Sequence, residues 1–347
     1  MTGKTRTFEK PSAVCLMGGG EIMVETARML AARGIQTFAV VAPRHADEPL
    51  SSEPGTMVEV LAAAGTPCHE TVDISDLSSW PHADMPGRAK LALCFGPAWV
   101  FPEHVRALFE QGMYNLNLIP QPHYLGGAHY SWQIMNDDRR GACVLQEIAA
   151  RLDRGDIFMK CEFEISDAAR LPVHYFAENL AAGKAFMADV IDKIVDGDAF
   201  EVTSYDEMAK SRLYLPRLLT NVHGIVDWAW TAEEIARFCC AFDRPYPGAS
   251  TWLNGERIRL RDVSVARDVD VPPMHPFAAG LVLRAEDTYL LVAARDGFLT
   301  IKTVEASEGA NIVPRIRDGS RFAADPEALD QALSAQAKLS STGPTLR

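Results

Sequence analysis

Between Asn115 and Asp156 the chain gathers residue types that can do chemistry. Asn115-Leu116-Asn117 carries two carboxamides, and a carboxamide can donate a hydrogen bond to an oxygen that gains negative charge. That is the usual means of lowering the barrier to attack at a carbonyl. Asp153 lies in Leu152-Asp153-Arg154-Gly155-Asp156, after a predicted strand and before the apolar pair Ile157-Phe158. A partly buried carboxylate there can accept a proton directly or through water. An amide donor beside a carboxylate suits attack by a nucleophile that must lose a proton. Taken singly, neither motif is specific. Asn is common where a strand enters a turn, because its side chain satisfies local backbone groups, and most Asp-x-Gly-Asp matches are turns.

The elements around these residues read as a parallel α/β sheet. Ala13 to Met17 is an apolar run that stops at Gly18-Gly19-Gly20. An amphipathic segment, Ile22 to Ala32, ends at Gly34, and a second apolar run covers Thr37 to Ala42. Strand, Gly turn, helix and strand make the βαβ pattern. It continues with a helix over Met57 to Ala64, a buried strand Leu91 to Phe95, a helix His104 to Gln111 and a strand Tyr114 to Leu118. A strand at Cys143 to Glu147 and a long helix from Val173 to Val195 follow. Residues 1–12 read as a loose polar lead, and Asp198 to Arg217 as a linker. Thr231 with Glu234 forms a capping-box start for a helix. Pro245 to Gly248 is a turn, and Asn254-Gly255 is a hairpin signal. Short strands at Ser250 to Leu253, Arg257 to Leu260, Gly280 to Leu283, Tyr289 to Ala293 and Phe298 to Thr303 predict a small β-barrel. From Ala323 on, a short helix and a polar, disordered tail are expected. The boundaries are therefore 1–197, 198–222 (linker), 223–322 (barrel) and 323–347.

Composition narrows the function. At 347 residues and 48% hydrophobic, the chain can bury the cores of two domains. A net charge of −12 without a Lys/Arg block argues against a protein that lives on phosphate contacts, so nucleic acid is an unexpected partner. The seven cysteines include no CxxC pair and mostly lie in apolar runs, which predicts reduced, buried thiols. Met1 to Lys10 is too polar for a signal peptide, and no apolar run approaches the ~20 residues that span a bilayer. A cytoplasmic protein is expected. Neither Cys68-His69-Glu70 nor Cys239-Cys240 has a recurring metal-ligand spacing, and no metal is expected. Gly18-Gly19-Gly20 invites a dinucleotide reading, but the spacing is not GxGxxG, and Ala42-Pro43-Arg44 stands where an acid should close the second strand.

The order Asn115-x-Asn117, Pro122-His123-Tyr124-Leu125-Gly126, Trp132, Gly141 and Leu152-Asp153-x-Gly155-Asp156 resembles the signature of the folate-dependent formyltransferases. That resemblance is strongest over Leu91 to Ile157. It extends to Asp227-Trp228 and Ala241-Phe242-Asp243-x-Pro245-Tyr246-x-Gly248-Ala249. It implies a Rossmann-like formyltransferase domain with a smaller, oligonucleotide-binding-like (OB-like) barrel. It also implies 10-formyltetrahydrofolate as co-substrate and N-formylation of an amine. The family's catalytic Asn and Asp correspond to Asn115 and Asp153. Its His corresponds to Asn117, and the Arg before its Gly is Leu125 here. The loop Phe95-Gly96-Pro97-Ala98-Trp99-Val100 is expected to form the folate slot, with Leu152 beside it. Trp99 and Phe101 could wall that slot, the alternative being core aromatics, which for Phe101 is an equal reading. Gly20 and Glu21, with His123, Gly126 and His129, are expected to border the acceptor. Three consequences of Asn117 remain open: Asp153 and water carry the protons, His123 or His129 supplies an imidazole, or the protein binds folate without transfer. A hydrolase that releases formate is a further alternative. The acceptors in view are amino sugars, amino-acid-derived amines and methionyl-tRNA, with the last disfavoured by charge. A homodimer is left open.

Overall fold

The computed structural model describes residues 4–50, 53–77, 89–267, 269–340 and 343–346. The extreme ends of the expected lead and tail, residues 1–3, 341, 342 and 347, lie outside that description. The chain divides into two compact units. The first comprises Met1–Leu125, Arg140–Glu164 and Glu178–Leu213; the second comprises Gly126–Arg139, Ile165–Ala177 and Tyr214–Arg347.

The first unit is built on a seven-stranded sheet. Its strands are β1 (Ala13–Gly18), β2 (Gln36–Val41), β3 (Cys68–Glu70), β4 (Leu91–Phe95), β5 (Gly112–Asn117), β6 (Arg140–Glu147) and β7 (Ile157–Glu164). Their spatial order is β3-β2-β1-β4-β5-β6-β7. The first five run parallel, and β6 and β7 are added at one side through two successive antiparallel pairings. β1 and β4 are apolar because both their faces are covered. Val14 and Leu16 enter one core with helices α1 (Glu21–Ala32) and α2 (Met57–Ala63), whereas Ala13, Cys15 and Met17 enter the core on the opposite face. The later turns of helix α3 (Pro172–Asp196) bury Phe186, Met187, Val190 and Ile191 in the first of these cores. The chain leaves β1 toward β2 on one side and returns to β4 on the other. The carboxyl ends of β1 and β4 therefore meet at a topological switch point, where open α/β sheets place their ligands. Gly18 (φ 116°) makes the meeting possible: a Cβ there would lie 2.1 Å from the Phe95 carbonyl oxygen. The Gly19 amide donates to that oxygen at 3.0 Å.

Three local expectations differ from the structure. The polar lead is partly ordered, because Lys4–Arg6 pairs antiparallel with Phe200–Val202. Buried Phe8 then packs edge-on against Tyr114 and Phe200, an aromatic cluster that periodicity could not reveal. The expected helix His104 to Gln111 is only Glu103–Arg106. Beyond it the chain tightens into three-residue turns as Phe109 enters the core, and the Gln111 amide bonds to Lys90 O. The expected linker contains the strand Phe200–Val202 and the short helix Tyr205–Met208.

The second unit holds strands β8 (Ala249–Leu253), β9 (Glu256–Val265), β10 (Val282–Ala285), β11 (Leu290–Ala293), β12 (Phe298–Glu305) and β13 (Phe322–Ala323). They form one curled antiparallel sheet in the order β10-β11-β12-β9-β8-β13. Backbone bonds from Phe322 N to Gly280 O and from Val282 N to Ser320 O, both 2.8 Å, tie chain beside one edge to chain beside the other. Asn254 and Gly255 both take positive φ in the two-residue turn between β8 and β9, as the sequence predicts. Thr231 and Glu234 complete the expected capping box of helix α4 (Ala232–Ala241). Trp228 is buried, donates to Thr251 and stacks on Phe322. From Ala323 on, the chain holds the expected short helix, Pro326–Ser334, and then, where disorder was expected, an antiparallel pair, Ala337–Ser340 with Gly343–Leu346. Among the described residues no helix is long and apolar enough to cross a membrane.

Candidate active site

β5 and β6 run antiparallel with Asn115 opposite Gln146 and Asn117 opposite Val144. Side chains two residues apart on a strand share a face, so this register places three carboxamides together. Asn115 Nδ2 donates to Asn117 Oδ1 at 2.7 Å, and Asn117 Nδ2 donates to Gln146 Oε1 at 3.2 Å. Buried Gln121 adds a fourth amide, its Nε2 donating to the same Gln146 oxygen at 3.1 Å. Gln146 Nε2 then donates to the Gly155 carbonyl at 3.0 Å. The amides thereby reach the loop that carries Asp153. Gly155 is required there, since a Cβ would sit 1.8 Å from the carbonyl oxygen of Glu147. Asn115 Oδ1 and Gln121 Oε1 are buried and have no partner. Such orphaned acceptors are uncommon in a folded protein and mark places where a ligand's donor can bind.

Asp153 takes the left-handed backbone conformation at φ 53°. Its side chain is partly buried, and that burial lifts the carboxyl above the ordinary carboxylate range, while the Arg212 guanidinium pulls it back down. The second Asp of the motif has a structural task. Asp156 accepts from the Tyr205 amide at 3.0 Å and pairs with Lys4 at 3.3 Å.

Asn115 and Asp153 line one cleft of the first unit. Of the expected folate residues, Pro97, Trp99, Val100 and Leu152 line the same cleft. Val100 and Leu152 are 72% and 70% exposed, which leaves large apolar side chains free to cover a flat ring. Trp99 Nε1 is anchored on Val72 O at 3.1 Å. Phe101 is both wall and core: it borders the cleft, yet is buried among Val105 and Phe109. Phe95, Gly96 and Ala98 are not among the cleft's lining residues, and Phe95 points into the main core.

The expected acceptor residues are more dispersed. Gly20 (φ 90°) precedes α1, and its amide contacts Met57 Sδ at 3.2 Å. Glu21 pairs with Lys184 of α3 at 3.1 Å. His123 belongs to the first unit, whereas Gly126 and His129 belong to the second. At Gly126 (φ 112°) a Cβ would lie 2.1 Å from Leu215 O, so a side chain at this position would be obstructed. Burial, with Arg217 nearby, holds the His129 imidazole down at about 4. Sequence reasoning missed Gln146 and Gln121. The available signal was a Gln ending the apolar run Ala142 to Leu145, a poor place for an amide unless it has partners. Among the described residues no cluster of His, Cys, Asp or Glu could hold a metal ion.

Residues 219–315 match the formyl transferase C-terminal domain family. The methionyl-tRNA formyltransferase of Parabacteroides distasonis is 23% identical over 302 residues, which cover 84% of this chain and 90% of that protein. That of Acetivibrio thermocellus is 26% identical over 207 residues, 59% of this chain and 63% of its own length. The match therefore spans just under two thirds of the latter relative. An N-formyltransferase from Helicobacter canadensis, solved with folinic acid and dTDP-3-aminofucose, superposes with a TM-score of 0.61 at 13% identity, over 84% of this chain and 98% of that one. A Rossmann-like sheet in one unit and a curled antiparallel sheet in the other constitute the formyltransferase fold. The chain thus carries a match to the formyl transferase C-terminal domain, and in sequence and fold it is similar to proteins named as formyltransferases.

Proposed function

We propose that this protein transfers the formyl group of 10-formyltetrahydrofolate to the amine of a small acceptor, an amino sugar or an amino-acid-derived amine. One observation carries the reading. Asn115, Asp153 and an apolar loop converge on a single cleft, where Asn115 keeps a buried, unpartnered carbonyl oxygen. The cleft suits a folate. Exposed Val100 and Leu152 offer apolar cover, and backbone groups of the loop after β4 can read a pterin. When bound, the folate supplies the formyl carbon and a nitrogen leaving group. The Asn115 carbonyl orients an amine N–H, while its second N–H is available to the formyl oxygen as that oxygen gains charge. Asp153 receives the proton lost by the attacking amine and returns one to the departing nitrogen, so the proton count closes. Asn117 stands where the signature has His. It holds the amide row without a titratable group, which supports proton transfer through Asp153 and water.

The OB-like reading of the C-terminal sheet and the domain limits given above belong to the same proposal. A net charge of −12 favours a small acceptor over methionyl-tRNA. Purified protein, 10-formyltetrahydrofolate and a panel of amines with methionyl-tRNA included test the reading. Tetrahydrofolate release with a formylated small amine is expected. Release without a formylated amine identifies a hydrolase, binding without release a folate-binding protein, and formylated tRNA the alternative acceptor.

A further inference from the structure

The amide row has a direction, and the backbone sets it. The Gly155 carbonyl can only accept, so the Gln146 end that meets it must be Nε2. Oε1 must then face the other way, where it accepts from both Asn117 and Gln121. With Nδ2 of Asn117 committed to Gln146, its Oδ1 is the end presented to Asn115, which must offer Nδ2. The Asn115 carbonyl is left over, buried and unpartnered. Carboxamide orientation is ordinarily an assignment that the network must decide. Here one backbone oxygen decides all of it. That oxygen belongs to the loop carrying Asp153, and among the described residues Gln146 is the side chain bonded both to that loop and to the amide row.

We propose that Gln146 is a positioning residue for the transfer. It reads the Gly155 carbonyl and, through Asn117, fixes which end of Asn115 faces the cleft, registering that amide against Asp153. This inference rests on the formyl-transfer reading. Gln146 borders the cleft beside Asn115 and Asp153, and its role in this reading is to keep the donor, the acceptor and the carboxyl in one geometry. Misplacement by about 1 Å can cost about 100-fold in rate.

The decisive variant is Gln146→Glu, which preserves shape. When ionised, its two oxygens only accept. Asn117 and Gln121 keep their partner, but the Gly155 carbonyl faces an oxygen and the row loses its anchor. When protonated, the carboxyl can again donate to Gly155. Turnover of Gln146→Glu is therefore expected to fall about 100-fold at pH 8, with KM for folate within about threefold, and to recover relative to wild type as pH falls. A loss that runs parallel to wild type at every pH would indicate a merely structural residue and overturn the proposal. A second measurement needs no turnover. In ¹⁵N spectra, Gln146→Met should shift the side-chain NH₂ resonances of Asn115, although the two side chains are joined only through Asn117. An unmoved Asn115 signal in a folded variant would overturn the relay. Wild-type protein that forms no product with any amine but shows the shift would instead reject the transfer reading and leave the relay standing.

Discussion

Asp153→Asn should move activity and stability in opposite directions. Asn is the replacement of choice because Asp153 has φ 53°, a conformation that Asn adopts more readily than Ala. Shape and backbone are conserved, and only the proton acceptor is removed. General-base assistance contributes typically 10²–10⁴-fold. Turnover should therefore drop by at least about 100-fold, roughly 2.7 kcal/mol of barrier, with folate affinity nearly unchanged. Stability follows from the carboxyl's displacement. Burial raises its folded pKa above the unfolded value of about 3.9. Asp153 thus binds its proton more tightly folded than unfolded. The contribution is favourable below the unfolded value and is lost as pH rises through the folded one, so ionised Asp153 weakens the fold at neutral pH. An amide carries no such penalty, although it forgoes the attraction of Arg212. The thermal midpoint of Asp153→Asn at pH 7.5 should equal or exceed that of wild type, and its advantage should shrink toward pH 4. Paired tetrahydrofolate-release assays and thermal scans across pH give both quantities. A loss of less than tenfold in turnover, or a variant clearly less stable at pH 7.5 than at pH 4 relative to wild type, would refute the reasoning.

Asn115→Ala removes the amide that faces the cleft and should lower kcat by about 100-fold or more; an unchanged rate would place the chemistry elsewhere. With its imidazole held near 4, His129 should contribute no step to the rate profile between pH 6 and 8. A step near 6.5 that disappears in His129→Ala would contradict this. Gly155→Ala drives a methyl into Glu147 O, so either the loop shifts, with turnover lost, or the protein is destabilised by about 1–3 kcal/mol; wild-type kinetics and melting together would show that the loop is looser than described.

Much of the first unit is legible because its parallel strands are buried on both faces and read as apolar runs, as Val14 to Met17 and Leu91 to Phe95 do. The Asn254-Gly255 turn and the Thr231–Glu234 cap are legible because each depends on residues adjacent in sequence. Phe8 is illegible for the opposite reason: its partners, Tyr114 and Phe200, lie far along the chain. In the site, Asn115 and Asp153 were readable from motif spacing. Gln146 was not, because its importance arises from strand register, which pairs it with Asn115 across β5 and β6. Gly126 is legible as a glycine because a side chain there would be obstructed, here by Leu215 O.

The sheet of the first unit ends on β7, and this has a consequence for behaviour at high concentration. Among the described residues, only its first residue, Ile157, is paired on the outer side, by Thr203. Beyond it the strand is an open edge, the kind of surface that recruits other chains into intermolecular sheets. Exposed Lys160, Glu162 and Glu164 punctuate that edge, with Lys160 and Glu162 paired at 2.5 Å. Charges spaced two apart must be desolvated before another strand can dock, which protects the protein against self-assembly through this edge. The protection is electrostatic, so it weakens at high salt. Concentrated, salty preparations should therefore be the ones that first form β-rich aggregates.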